Sequence, residues 1–291
     1  MDLTPKELDL LPSSDDIAQF KQLGWYSSPV ILPTDVISEA IIGAEELMSG
    51  HSECRLPNVP QVATNQDCSL INIEFAYLHN EKIRRLVNHP LISATASRLN
   101  GAHQLRLFSD SLLCKMPAGQ NQADIESENN VGWHTDKAYW PTCTSENMLT
   151  AWVPLEDCTI DMGPVIYIDG SHTWDRNAEL KQMISFNHNN EQFEALIRRS
   201  GLKIKKSYMT LKKGQVSFHH CRLLHGSQNN TSKCRRIAIA IHLQDGDNLY
   251  QTIHDKDGKK IEIGYDRICA KDAHGQPNYQ DAQLFPIIFN A

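Results

Sequence analysis

A histidine and an aspartate stand one residue apart, as His134 and Asp136, between Gly132-Trp133 and the aromatics Tyr139 and Trp140. Side chains on a strand alternate with period two, so this imidazole and carboxylate are expected to share a face. Together they are two thirds of a 2-His-1-carboxylate iron site. Such a triplet is common by chance, so the reading depends on a third donor. His225, in Leu224-His225-Gly226-Ser227, is the candidate, with His219 and His220 as nearby competitors. Three protein donors on one face leave three positions of an octahedral metal open. Two suit a chelating cosubstrate and one suits dioxygen.

Arg236 adds a second chemistry. The run from Arg236 to Leu243 reads as a strand with Arg236, Ala238, Ala240 and His242 on one face. Ile237, Ile239, Ile241 and Leu243 fall on the other. A guanidinium above two alanines makes a slot closed by a cationic fork. The far carboxylate of 2-oxoglutarate requires such a partner. Arg235 is expected to point away from it.

These residues need elements to hold them. A helix is expected over 13–24, with Ser13 and Asp16 as a capping box and Gly24 as its stop. A strand-like stretch runs from Trp25 to Pro33. Thr34 is expected to cap a helix over 35–49, whose stripe is Val36, Ile37, Ala40, Ile41, Ala44 and Leu47. Two short helices broken near Pro90 are expected between Glu81 and Leu99. From about residue 103 the texture becomes β-like. A strand from His103 to Met116 precedes a polar loop over 120–130. Short runs follow at 131–136, 148–155, 163–169, 207–211, 214–220 and 236–243. A helical insertion at about 177–200, ended by Gly201, interrupts them. Short strands separated by turns imply a sandwich or jelly roll, mainly β with flanking helices. The expected organisation is one domain over 1–291: a mostly helical part (1–102), a jelly-roll core (103–245) and a closing segment (246–291). Leu284 to Phe289 is expected to pack back on the body, and 120–130 with 250–275 to form a lid.

The bulk numbers limit the function classes. A net charge of −7 and a pI of about 6.0 disfavour a broad nucleic-acid or anionic-membrane surface. The eight cysteines are scattered, with no Cys-x-x-Cys pair, and read as reduced thiols. The polar, acidic opening does not read as a signal or transit peptide. No run approaches the roughly 20 apolar residues that cross a bilayer. A soluble cytoplasmic protein is expected, with a small-molecule substrate and no nucleic-acid or membrane partner. Oligomeric state is not legible.

With these residues in view, the chain resembles the phytanoyl-CoA dioxygenase family of iron(II)- and 2-oxoglutarate-dependent oxygenases. The resemblance rests on Trp133 to Asp136, Trp152 to Asp157, Gly170-Ser171-His172, and His225 to Arg236. It implies a double-stranded β-helix, cupin-like, with His134, Asp136 and His225 as iron ligands. It implies Arg236 as the cosubstrate arginine, Trp152 and Met116 as pocket lining, and Ser227 as a hydroxyl donor to the same carboxylate. It implies iron(II), 2-oxoglutarate and dioxygen, with succinate and carbon dioxide released. Hydroxylation is the default outcome, and desaturation, cyclisation or demethylation would use the same ligands. Members act on acyl thioesters, amino acids, alkaloids, terpenoids and other small metabolites, so a role in secondary metabolism is expected.

The chain departs from the family pattern at Asp161-Met162-Gly163-Pro164 and Asp169-Gly170-Ser171-His172, which should alter turns beside the site. Asp136 is retained, which disfavours halide transfer. Two other classes remain. A cupin-like metal-dependent isomerase or lyase would not need the Arg236 slot. A β-sandwich binding module would need neither metal nor slot. Of the remaining residues, His172 reads as a loop-bonding histidine. Lys115 is open between solvent and pocket rim. Lys137, Tyr139 and Trp140 are either substrate contacts or an exposed aromatic loop.

Overall fold

A computed structural model describes residues 3–54, 56, 59–62, 69–117, 129–174 and 190–291. The chain opens with α1 (Pro5–Leu8) and α2 (Ser14–Leu23). Ser13 caps α2 as expected: its hydroxyl accepts from Asp16 N, and the Asp16 carboxylate accepts from Ser13 N. Gly24 ends the helix at φ 79°, a left-handed conformation that favours glycine. β1 (Trp25–Ser27) is shorter than the strand-like stretch, since Pro29 removes a backbone donor just beyond it. In α3 (Thr34–Met48) the cap is Pro33, and Thr34 is the first helical residue. The expected side-chain cap is therefore absent, and the fixed φ of Pro33 starts the helix instead.

β2 (Leu70–Glu74), α4 (Ala76–His79), α5 (Glu81–Val87) and α6 (Pro90–Asn100) follow, with the predicted break at Pro90. The β-rich part comprises β3 (Gln104–Lys115), β4 (Val131–His134), α7 (Asp136–Tyr139), β5 (Leu149–Pro154) and β6 (Val165–Ile168). It continues through α8 (Asn190–Arg199), β7 (Lys206–Tyr208), β8 (Ser217–His220), β9 (His225–Ser227) and β10 (Arg236–Asp245). A small hairpin of β11 (Ile253–His254) and β12 (Lys260–Ile261), α9 (Gly264–Ile268) and β13 (Ile287–Asn290) complete it. The 120–130 loop, apart from Asn129 and Asn130, and residues 177–189 of the helical insertion lie outside the described residues.

The strands form a seven-stranded sheet, β1-β8-β5-β10-β3-β13 with β2 also paired to β3, and a four-stranded sheet, β4-β9-β6-β7. Neighbours are antiparallel and many are distant in sequence, as in a jelly roll. The two faces of β10 explain the division of the interior. Ile237, Ile239, Ile241 and Leu243 enter the main core together with the helices. Each fully buried side chain of this kind contributes about 1.5–3 kcal/mol. Arg236, Ala240 and His242, on the other face, line a cavity. The C-terminal run packs back as expected: β13 pairs with β3, and Leu284, Phe285 and Ile288 are buried. Among the described residues no helix is long and apolar enough to cross a membrane.

Candidate metal centre and its cavity

β4 ends at His134, Thr135 is extended, and Asp136 begins α7. The expectation that both donors ride one strand is corrected here. The turn from strand into helix brings them together, and Lys137 N, donating to Cys221 O, fixes that turn. His225 lies opposite His134 in the β4–β9 register. Gly226 is needed for this approach, because a Cβ there would meet Val131 O at 2.7 Å. One donor atom from each of His134, Asp136 and His225 lies within 4.8 Å of the others.

Hydrogen bonds prepare each donor. His134 Nδ1 donates to Gly132 O at 2.8 Å and His225 Nδ1 to Leu223 O at 3.0 Å. A carbonyl only accepts, so both Nδ1 atoms carry the proton and both Nε2 lone pairs are free. Burial pushes both imidazoles below the ordinary histidine range, His225 furthest. Burial alone would favour a neutral Asp136, but the hydrogen bond that His219 donates to it helps hold its carboxyl below the usual range. Asp136 Oδ2 accepts from Thr150 Oγ1 at 2.6 Å and His219 Nε2 at 3.0 Å. Oδ1 is left facing His225 Nε2, 3.4 Å away.

The supports of Asp136 form a row across the large sheet. His242, Thr150 and His219 are successive register partners on β10, β5 and β8. Tyr167 OH donates to His219 Nδ1, and His242 Nδ1 donates to the Thr150 hydroxyl. His242 is then a neutral imidazole with an accepting Nε2. Burial accordingly lowers it to about 4.

A second cluster lies further along the same sheet face. Arg236 Nη1 donates to Gly163 O at 2.8 Å, and its guanidinium stacks 5.5 Å from the Trp152 ring. Gly163 has φ 64° and abuts the backbone of Gln228, so a side chain would not fit there. Arg236 Nε and Trp152 Nε1 are buried without a partner. Burial lowers Arg236 to about 10, still a cation at neutral pH. Lys115, directly opposite Arg236 on β3, is completely buried. Its Nζ donates to Ser227 Oγ at 2.7 Å and Gln228 O at 2.5 Å. Burial and the neighbouring Arg236 pull it down to about 6.

His134, Asp136, His225, Arg236, Trp152 and Ser227 all line one cavity of about 730 Å³, an ordinary size for a small-molecule site. Phe75, Leu113, Tyr139, Trp140, Ile263 and Tyr265 supply apolar walls, and Asn72, Glu74, Ser111 and His242 add a few polar groups. Phe75 is the one described non-glycine residue with positive φ, 55°. Asp110 holds it there, accepting from Phe75 N with its carbonyl and from Tyr77 N with its carboxylate. The site fits the groups expected of it. Two lone-pair imidazoles and a carboxylate suit a divalent iron. The orphaned donors beside them suit a carboxylate.

Met116 is not among these residues. Alternation along β3 puts Ser111, Leu113 and Lys115 on the cavity side and Met116 against the main core, a one-residue correction of the expectation. His219, weighed as a rival donor, instead bonds Asp136, while His220 Nδ1 accepts from Arg222 N away from the centre. Lys137 Nζ is tied to Cys143 O and Ser145 O, whereas Tyr139 and Trp140 reach the cavity. His172 bonds Lys21 O, and Arg235 pairs with Glu45 on the outside. The departure at Asp169 has a local use: its carboxylate accepts from Trp25 Nε1 and Ser207 Oγ, tying both sheets to that turn.

Comparison with known proteins places this geometry. The family model described as phytanoyl-CoA dioxygenase (PhyH) matches residues 53–238. A probable alpha-ketoglutarate-dependent hypophosphite dioxygenase of Stutzerimonas stutzeri is 29% identical over 176 residues, covering 59% of this chain and 56% of that protein. The chain spans about half the length of the curated relatives it matches. Among solved structures, the non-heme alpha ketoglutarate dependent carbocyclase SnoK from nogalamycin biosynthesis superposes with a TM-score of 0.68 at 24% identity, covering 95% of this chain and 96% of its own. The epimerase SnoN from the same biosynthesis gives 0.65 at 22%, covering 98% and 100%. The shared fold is the double-stranded β-helix.

Proposed function

Because the chain belongs to the phytanoyl-CoA dioxygenase (PhyH) family of iron(II)- and 2-oxoglutarate-dependent oxygenases, we propose that it hydroxylates a small-molecule metabolite, releasing succinate and carbon dioxide. The observation that carries this reading is the convergence of His134, Asp136 and His225 in the cavity that also holds Arg236. When bound, iron and 2-oxoglutarate supply the activation of dioxygen through oxidative decarboxylation of the 2-oxo acid. His134 Nε2, His225 Nε2 and Asp136 Oδ1 are the atoms to hold the iron. Arg236, with its unused Nε, and Ser227 receive the far carboxylate of the cosubstrate. The Trp152 ring, stacked on the guanidinium, keeps that ion pair out of water and so strengthens it.

Substrate occupies the wider part of the cavity. Its aromatic and aliphatic walls favour an apolar body, and His242 Nε2 accepts a bond from a hydroxyl or amine on it. Hydroxylation requires only that one C–H bond be presented to the metal. A ring closure, as in the name of SnoK, requires a second substrate atom in reach as well. The retained Asp136 carboxylate occupies the position a halide would need.

Anaerobic addition of iron(II) and 2-oxoglutarate is expected to give a weak visible charge-transfer band. Asp136→Ala is expected to lose it. A parent protein without the band, or a variant that keeps it, would overturn the assignment.

A further inference from the structure

Beside the Arg236 slot two basic side chains stand on adjacent strands, with no acid bonded to either among the described residues. Lys115 and Arg236 are direct cross-strand partners, which sets their Cβ atoms about 5 Å apart. Like charges so placed repel, and each is almost fully buried. Bonds to neutral acceptors hold Lys115 in place of an acid: among the described residues its Nζ donates to Ser227 Oγ and Gln228 O.

The bond to Ser227 has a direction. Lys115 donates and the serine oxygen accepts, so the serine's own proton is free to point elsewhere. Ser227 lines the cavity beside Arg236, while Lys115 lies behind it out of reach of solvent. No other acceptor for the Ser227 hydroxyl is present among the described residues. We propose that Lys115 is a positioning residue for the cosubstrate: it holds Ser227 so that the serine hydroxyl donates into the slot, beside Arg236, to the far carboxylate of 2-oxoglutarate. This rests on the oxygenase reading above and extends it to a residue that never touches the ligand. One carboxylate oxygen is met by Ser227 and the other by the guanidinium. The second bond to Gln228 O also pins the chain just after β9, which keeps Ser227 at the right depth.

The test compares two 2-oxo acids on the iron(II)-loaded protein without oxygen, by the visible band or by binding heat. 2-Oxoglutarate has the far carboxylate and 2-oxobutanoate lacks it. Lys115→Met is expected to raise the dissociation constant of 2-oxoglutarate about 10- to 100-fold, the range for a hydrogen bond to a charged group, and to leave that of 2-oxobutanoate unchanged. Ser227→Ala should show the same selective loss, and the double variant should lose little more than either single one. Equal weakening of both acids in Lys115→Met would mean a general structural role and overturn the proposal. So would additive losses or an unchanged constant. Lys115→Gln, which removes the reach to Ser227 but keeps a polar group, gives the same reading if the methionine variant does not fold. A parent protein that binds neither acid would instead overturn the oxygenase reading itself.

Discussion

At the metal end of the cavity the histidines and the aspartate have their supporting atoms bonded, whereas at the slot end Arg236 Nε and Trp152 Nε1 are buried without partners. The difference follows from what each end receives. A metal ion is small and gains most from donors already fixed in orientation and protonation state, so His134, Asp136 and His225 are each held by a carbonyl, a hydroxyl or an imidazole. An organic carboxylate brings its own acceptors, so its receptor must keep donors open and tolerate their cost until it arrives. Saturation marks the ion site, and deliberate vacancy in the hydrogen bonding marks the ligand slot.

Substitutions can break that contrast. The largest effect is expected from Arg236→Ala, which should weaken 2-oxoglutarate binding by about 100-fold or more and leave iron(II) affinity unchanged. Anaerobic titrations of each component would measure this, and a parallel loss of both would erase the distinction between the ends. The mirror experiment is His219→Phe. Removing one donor from Asp136 Oδ2 should cost about 10- to 100-fold in iron affinity, with 2-oxoglutarate binding at saturating iron unaltered. A selective loss of cosubstrate binding there would reverse the assignment. The smallest effect is expected from Met116→Leu. This volume-conserving change on the core side of β3 should cost less than about 1.5 kcal/mol of stability, read from denaturant unfolding, with no change in cosubstrate affinity. A weakened cosubstrate would return Met116 to the slot.

The same contrast separates what was legible in the sequence from what was not. The three donors and Arg236 were legible because their types are rare in combination and the family motif spaces them. The strand period does not bring His134 and Asp136 together; a strand-to-helix turn does. Strand composition gave β10 and its two faces, because alternation of isoleucine with small residues is a strong local pattern. The partners of the donors were less legible. His219 meets Asp136 only because β8 pairs with β5 in one register, and register is a property of two distant segments. Lys115 reads as open between solvent and rim for the same reason: a lysine at the end of a strand looks exposed until the strand beside it is known. Met116 shows the cost of a one-residue slip, which exchanges the cavity face for the core face.

His134 and His225 face each other across β4 and β9, strands drawn from far apart in the chain. An ion held between them closes a loop that contains β5, β6, α8, β7 and β8. It acts as a clasp on that loop, since a chain whose two strands have not met offers at most part of the ligand set. Completing the smaller sheet is then a precondition for loading the metal. The metal content of a preparation then sets a lower bound on the fraction of molecules in which β4 and β9 have met.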